Sequence, residues 1–163
     1  MVSFITRMPY GIPGDVTRQS ESTIEAQAMN ASLPFTRYGI PGKIASSKFV
    51  PLAGGEVAAD VYGILVRPFP ITGANASDPL GTSVPPVGGV GDVLKRGYIN
   101  VKVNAGVAAL NGVVYIRVAN GTTGQPIGGI EAAADGANTI VLTGARFMGA
   151  ADANGNAEIA YNI

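Results

Sequence analysis

The sequence predicts an all-β protein: a β-sandwich or jelly-roll-like domain preceded by an extended N-terminal arm. Three observations lead there. The 23 glycines and 11 prolines are scattered over 163 residues, which breaks the chain into short segments and leaves little room for long helices. Several of those segments alternate apolar and polar residues with the period of two that turns one face of a strand inward. Between them stand Asn-Gly at 111–112, 120–121 and 154–155 and Asp-Gly at 135–136, pairs that tolerate the positive φ angles of tight hairpins. Their spacing, about 10–20 residues, suits a sandwich or barrel.

Taken in order, residues 1–43 show no core pattern and are expected to form the arm. Thr23–Ala31 contains good helix formers in Glu25, Ala26, Gln27, Ala28 and Met29. Its apolar positions Ile24, Ala28 and Met29 cover little surface, so mostly extended chain is favoured over a short helix. The domain follows over 44–163, with strands expected at Ile44–Phe49, Ala58–Val66, Tyr98–Val103, Val113–Val118, Ile127–Ala132, Thr139–Leu142 and Glu158–Ile163. The clearest is Tyr98–Val103, where Ile99, Val101 and Val103 share one face and Tyr98, Asn100 and Lys102 the other. Val114, Ile116 and Val118 repeat the pattern, as do Ile159, Tyr161 and Ile163. Residues 68–91, PFPITGANASDPLGTSVPPVGGVG, read as a long surface loop. A five-residue motif occurs twice, Tyr10-Gly-Ile-Pro-Gly14 and Tyr38-Gly-Ile-Pro-Gly42. It is either a chance echo or a pair of equivalent turns, and Pro-Gly favours the turns.

Composition narrows the function. Hydrophobic residues make up 47% of the chain and charged ones only 13%, about half the usual share, so part of the surface is expected to lie against other subunits. Eleven basic residues balance eleven acidic ones, which removes the basic footprint of a nucleic-acid binder or membrane-surface protein. Cys and His are both absent, so the chain lacks thiol chemistry, the commonest general base and the commonest transition-metal ligand. An enzyme is therefore not expected, nor a cofactor, a metal or a small-molecule substrate. The start, MVSFITRMPYGIPG, lacks the pattern of a secretory signal, and the most apolar stretch, 101–119, is interrupted too often to span a membrane.

Four constellations could carry chemistry, and each has a plainer reading. Asp152, Asn154, Asn156 and Glu158 alternate like the start of a calcium loop, but its sixth and twelfth positions are Ala157 and Ile163, and an Asn-Gly turn is favoured. Pro86–Asp92 is glycine-rich and followed by Lys95-Arg96, yet a strand follows it where a phosphate cradle needs a helix. Glu56 and Asp60 stand four apart, as do Glu131 and Asp135, and solvated loop ends are favoured over a catalytic pair; an enzyme cleaving glycosides with paired carboxylates would draw on Glu56, Asp60 or Asp92. No serine stands in a Ser-x-x-Lys frame.

Met8-Pro-Tyr-Gly-Ile-Pro-Gly-Asp-Val-Thr-Arg18, Tyr62-Gly-Ile-Leu-Val-Arg-Pro-Phe-Pro70, Gly91-Asp-Val-Leu-Lys-Arg-Gly-Tyr98 and the ending from Ala132 through Arg146-Phe147 to Ala157-Glu-Ile-Ala-Tyr-Asn-Ile163 together resemble the structural cement (capsid decoration) proteins of tailed bacteriophages. The resemblance spans nearly the whole chain. It implies a decoration protein on the outer surface of the phage head, with the major capsid protein as partner; it does not fix the oligomeric state, and a dimer or trimer on the capsid is the expected working form. No catalytic residues transfer. Tyr10, Ile12, Pro13, Tyr38 and Pro41 are the expected capsid anchors, with Arg18 and Arg37 pairing to capsid carboxylates; Phe4, Phe35 and Phe69 are alternatives. A tail or fibre module is the competing structural reading, although the regular short repeats of fibres are missing.

Overall fold

The computed structural model describes residues 10–68 and 83–163. Among them every regular element beyond three single 3-10 turns is a strand: β1 (Thr23–Ala28), β2 (Pro41–Ala45), β3 (Lys48–Pro51), β4 (Gly63–Leu65), β5 (Val90–Lys102), β6 (Val113–Arg117), β7 (Ile130–Glu131), β8 (Thr139–Phe147) and β9 (Asn156–Tyr161). They form one curled antiparallel sheet in the order β3-β2-β4-β5-β9-β8-β6-β7, with β1 also paired to β5. The all-β expectation therefore holds.

The 13-residue β5 joins the two halves. Its residues 90–96 pair with β1 and β4, and residues 97–102 pair with β9. At the changeover sits Gly97, at φ +137°; a Cβ there would lie 2.6 Å from Ser22 Oγ and 3.0 Å from Ser22 Cα, so only glycine lets the leading chain cross β5.

Alternation along the central strands divides the interior in two. Ile64, Val66 and Leu94 turn into the larger core, with Ile99, Val101, Val114, Ile116, Leu142, Phe147 and Ile159. Leu65 and Val93 turn the other way, into a second core with Met29, Phe35, Tyr38, Ile40 and Phe49. Phe35 and Phe49 stack there with ring centroids 4.8 Å apart. A strand buried on both faces needs an unbroken apolar run, which is why Gly63-Ile-Leu-Val66 lacks the polar alternation of an ordinary half-exposed strand. Each fully buried Ile, Leu or Phe contributes about 1.5–3 kcal/mol relative to exposure, so covering the second face has a measurable return.

That cover comes from the leading residues. Met29, Phe35, Tyr38 and Ile40 are buried, and β2 runs across residue 43, where the sequence suggested that an arm gives way to a domain. The helix considered for 23–31 is the strand β1 followed by the isolated Met29–Phe49 bridge. Partners distant in sequence decide this: residues 23–28 find the open backbone of β5, and strand pairing overrides local helix propensity.

Other boundaries move for similar reasons. The strand expected at Ile44–Phe49 is a hairpin, β2 and β3, turned by Ser46 and Ser47 at φ 49° and 60°. Serine is an uncommon choice for such a turn. Ala58–Val66 divides into a 3-10 turn, Ala58–Asp60, and β4, whereas β5 starts at Val90, inside the expected 68–91 loop. Ile127–Ala132 shrinks to β7, Thr139–Leu142 extends to Phe147, and the last strand ends at Tyr161. Residues 69–82 of that loop, with Phe69, and Phe4 and Met8 lie outside the described residues.

Candidate capsid-contact surface

The outer face of β5 and β9 carries polar side chains that hold the first Tyr-Gly-Ile-Pro-Gly motif. Asn100 Nδ2 donates to the Tyr10 carbonyl, Asn156 Nδ2 donates to the Gly11 carbonyl at 2.9 Å, and the Tyr10 amide donates to Asp152 Oδ2 at 3.3 Å. Backbone bonds continue the contact: the Gly14 amide donates to the Asn100 carbonyl at 2.8 Å, and the Asn100 amide donates to Asp15 at 2.9 Å. Thr17 and Arg18 then close on Glu158, whose Oε2 lies 3.1 Å from Arg18 Nη2. The Arg18 guanidinium also lies 3.9 Å from the centroid of the Tyr98 ring.

The two motifs meet but are not equivalent. In the first, Pro13-Gly14 forms a turn, with the Asp15 amide donating to the Ile12 carbonyl at 3.1 Å and Gly14 at φ +94°. In the second, Pro41-Gly42 opens β2. The expectation of matching turns is thus overturned, because Pro41 and Gly42 pair with Ile64 and Gly63 on β4. A Cβ on Gly14 would sit 2.5 Å from Tyr38 Cβ, and one on Gly39 would sit 2.7 Å from the Gly14 amide nitrogen. The copies therefore pack glycine against tyrosine, one on the other.

Of the seven expected anchors, this packing gathers four. Ile12, Pro13, Arg37 and Tyr38 border one recess of about 150 Å³, together with Arg67 and Lys102. Tyr38 is buried, and its hydroxyl lies 3.4 Å from the Val84 carbonyl. Burial in an apolar setting, only partly offset by the Arg67 charge, pushes that hydroxyl above its ordinary pKa. Arg37 is half-buried, and loss of solvent lowers its pKa from the ordinary guanidinium value. Arg67 and Lys102 carry no signal in the sequence, because the recess they share with Arg37 is lined by residues 30 to 65 positions apart from it.

The other three anchors lie elsewhere. Tyr10 is half-buried against the larger core, Pro41 is buried in β2, and Arg18 is committed to Glu158, whose hydrogen bond raises the Arg18 pKa. Phe35, one of the alternatives, is a core residue.

Two of the acids considered for catalysis, Glu56 and Asp60, hold local structure. Glu56 accepts from Lys43 Nζ at 2.7 Å and from the Ala53 and Gly54 amides at 2.9 and 2.8 Å. Burial pushes its carboxyl up, but these donors outweigh that and hold it below its ordinary value. Asp60 accepts from the Val57 amide in the 3-10 turn that follows. Asp152, first in the calcium-like run, accepts from the amides of Asn154 and Asn156 at 2.8 and 2.9 Å, which makes the Asn-Gly segment a turn. Lys95 of the glycine-rich stretch donates to the Tyr62 carbonyl and lies over the Tyr62 ring.

Two stretches present large apolar side chains to the exterior. Val107 and Leu110, in the loop between β5 and β6, are 88% and 72% exposed. Val84, Val87 and Val90 are each about two-thirds exposed at the start of β5 and just before it.

The described residues thus form an all-β fold that carries several exposed aliphatics. The comparisons specify the family. A family model, that of the XM1 gp53 minor capsid protein, matches residues 1–161, and the chain belongs to this family. A solved structure described as the capsid of Myoviridae Phage XM1 contains a chain that superimposes with a TM-score of 0.63 at 17% identity, over 99% of this chain and 94% of that one. No curated protein matches. The protein is thus a capsid-associated structural component of a phage virion, and the tail or fibre alternative gives way to capsid membership.

Proposed function

We propose that this protein is a cement: it binds the outer surface of the expanded phage head between major capsid protein subunits, as a dimer or trimer, and stabilises the shell without catalysis. The observation that carries the reading is the exposure of Val107 and Leu110, in a capsid-family chain with only 13% charged residues. Isolated exposed aliphatics are ordinary, but two in one loop with three more at and just before the start of β5 suit surfaces that become covered on assembly. Ile12, Pro13 and Arg37 at the recess mouth are the anchors retained from the expected set.

A ligand that binds only one state of a lattice stabilises that state by mass action, about 2.7 kcal/mol per site at a hundredfold excess over Kd. Many copies, each modest, sum over a shell. The test is sedimentation of the purified protein with expanded heads lacking it, followed by thermal disruption of the loaded and bare heads. Loaded heads are expected to pellet with the protein and to disrupt at higher temperature. A protein that stays in the supernatant, or heads whose disruption temperature is unchanged by it, would refute the proposal.

A further inference from the structure

We propose that Arg37, Arg67 and Lys102 form a socket for the carboxylate of an Asp or Glu side chain on a neighbouring protein of the shell. The inference rests on the cement reading and names the chemistry of one of its contacts.

Three cations border the recess, and the nearest acid answers only one of them: Asp15 Oδ1 stands 3.9 Å from Arg67 Nε, at the limit of an ion pair. Arg67 is nonetheless buried. Arg37 has no hydrogen bond or ion pair among the described residues, although burial has stripped part of its hydration. A half-buried guanidinium with five donors and no acceptor is costly unless something supplies an anion. Lys102 Nζ spends one of its three donors on the Asn154 carbonyl and keeps the others. Ser83 Oγ, also at the recess, is buried without a partner.

The space selects the ligand. About 150 Å³ holds several waters' worth of volume, enough for a carboxylate and a short methylene stem. Ile12 and Pro13 supply an apolar wall for that stem. Guanidinium forks match a planar carboxylate with two parallel bonds, and a lysine adds a point charge. A nucleic acid would need a basic stripe tracking successive phosphates, and the chain as a whole is neutral.

The experiment has two arms on virions and expanded heads. Zero-length carbodiimide coupling of intact particles, read by mass spectrometry, is expected to join Lys102 to an Asp or Glu of a different chain. In the second arm, Arg37→Gln and Lys102→Gln proteins, both altered at side chains with solvent access, are compared with wild type for head binding and thermal stability. Each substitution is expected to weaken binding about tenfold or more while leaving the melting temperature of the free protein unchanged. Arg37→Lys should fall between, since charge without the fork restores part of the contact. Coupling of Lys102 only within its own chain, or Arg37→Gln binding as tightly as wild type, would overturn the socket while leaving the cement reading intact. Failure of the wild-type protein itself to bind heads would overturn both.

Discussion

Replacing Glu131 by Gln should destabilise the free protein far more than a change of one atom type suggests. Arg117 and Glu131 face each other across β6 and β7, with Nε–Oε1 at 2.6 Å and Nη2–Oε2 at 3.1 Å, a two-pronged pair whose side chains are 2% and 1% exposed. Asp135 adds one bond to Arg117 Nη2 at 2.9 Å from a half-exposed position. Neutralising Glu131 leaves a guanidinium out of water with a single charged partner. Breaking a buried pair typically costs about 3–5 kcal/mol, and the surviving Asp135 contact places this case near the lower end, about 3 kcal/mol. For a chain of this length each kcal/mol shifts the melting temperature by about 2–4 °C, so a drop of about 6–12 °C is expected by calorimetry. The Arg117→Met, Glu131→Leu double substitution should return to within about 1 kcal/mol of wild type, since neither charge is then left alone. A Glu131→Gln protein that melts within about 2 °C of wild type would show that the pair is not held as described.

Two further outcomes test other parts of the fold. Gly14→Ala forces φ +94° on an L residue and drives a Cβ to 2.5 Å from Tyr38 Cβ, so it should cost about 2–4 kcal/mol by urea titration and loosen the recess with it; an unchanged midpoint would contradict the packing of the two motifs. Glu56 ties stability to pH. Its folded pKa is depressed, so its contribution is complete above the unfolded value of about 4.3 and disappears as pH falls through the folded one. The gap in melting temperature between wild type and Glu56→Gln should therefore be widest near neutrality and narrow below about pH 4; a gap independent of pH would sink this assignment.

Much of the fold was legible in short stretches of sequence. Period-two patterns at Tyr98–Val103 and Val113–Val118 and the turn at Asn154-Gly155 depend on neighbours a few residues away, and those are what a linear reading sees. Ser46-Ser47 was missed because its positive φ angles are imposed by β2–β3 pairing rather than favoured by serine. The leading segment misled for a related reason. Met29, Phe35, Tyr38 and Ile40 follow no single period, since they reach the second core from irregular chain rather than from one strand.

The sequence by itself determined that thiol and imidazole side chains are absent and which strand class the chain adopts, because composition and local alternation need no knowledge of the fold. Only the tertiary structure decided that Arg18 pairs with Glu158 while Arg37 borders one recess with Arg67 and Lys102. Whether a charge is satisfied depends on distances between residues far apart along the chain, and those distances exist only once β5 has brought the leading segment, β4 and its own far end together.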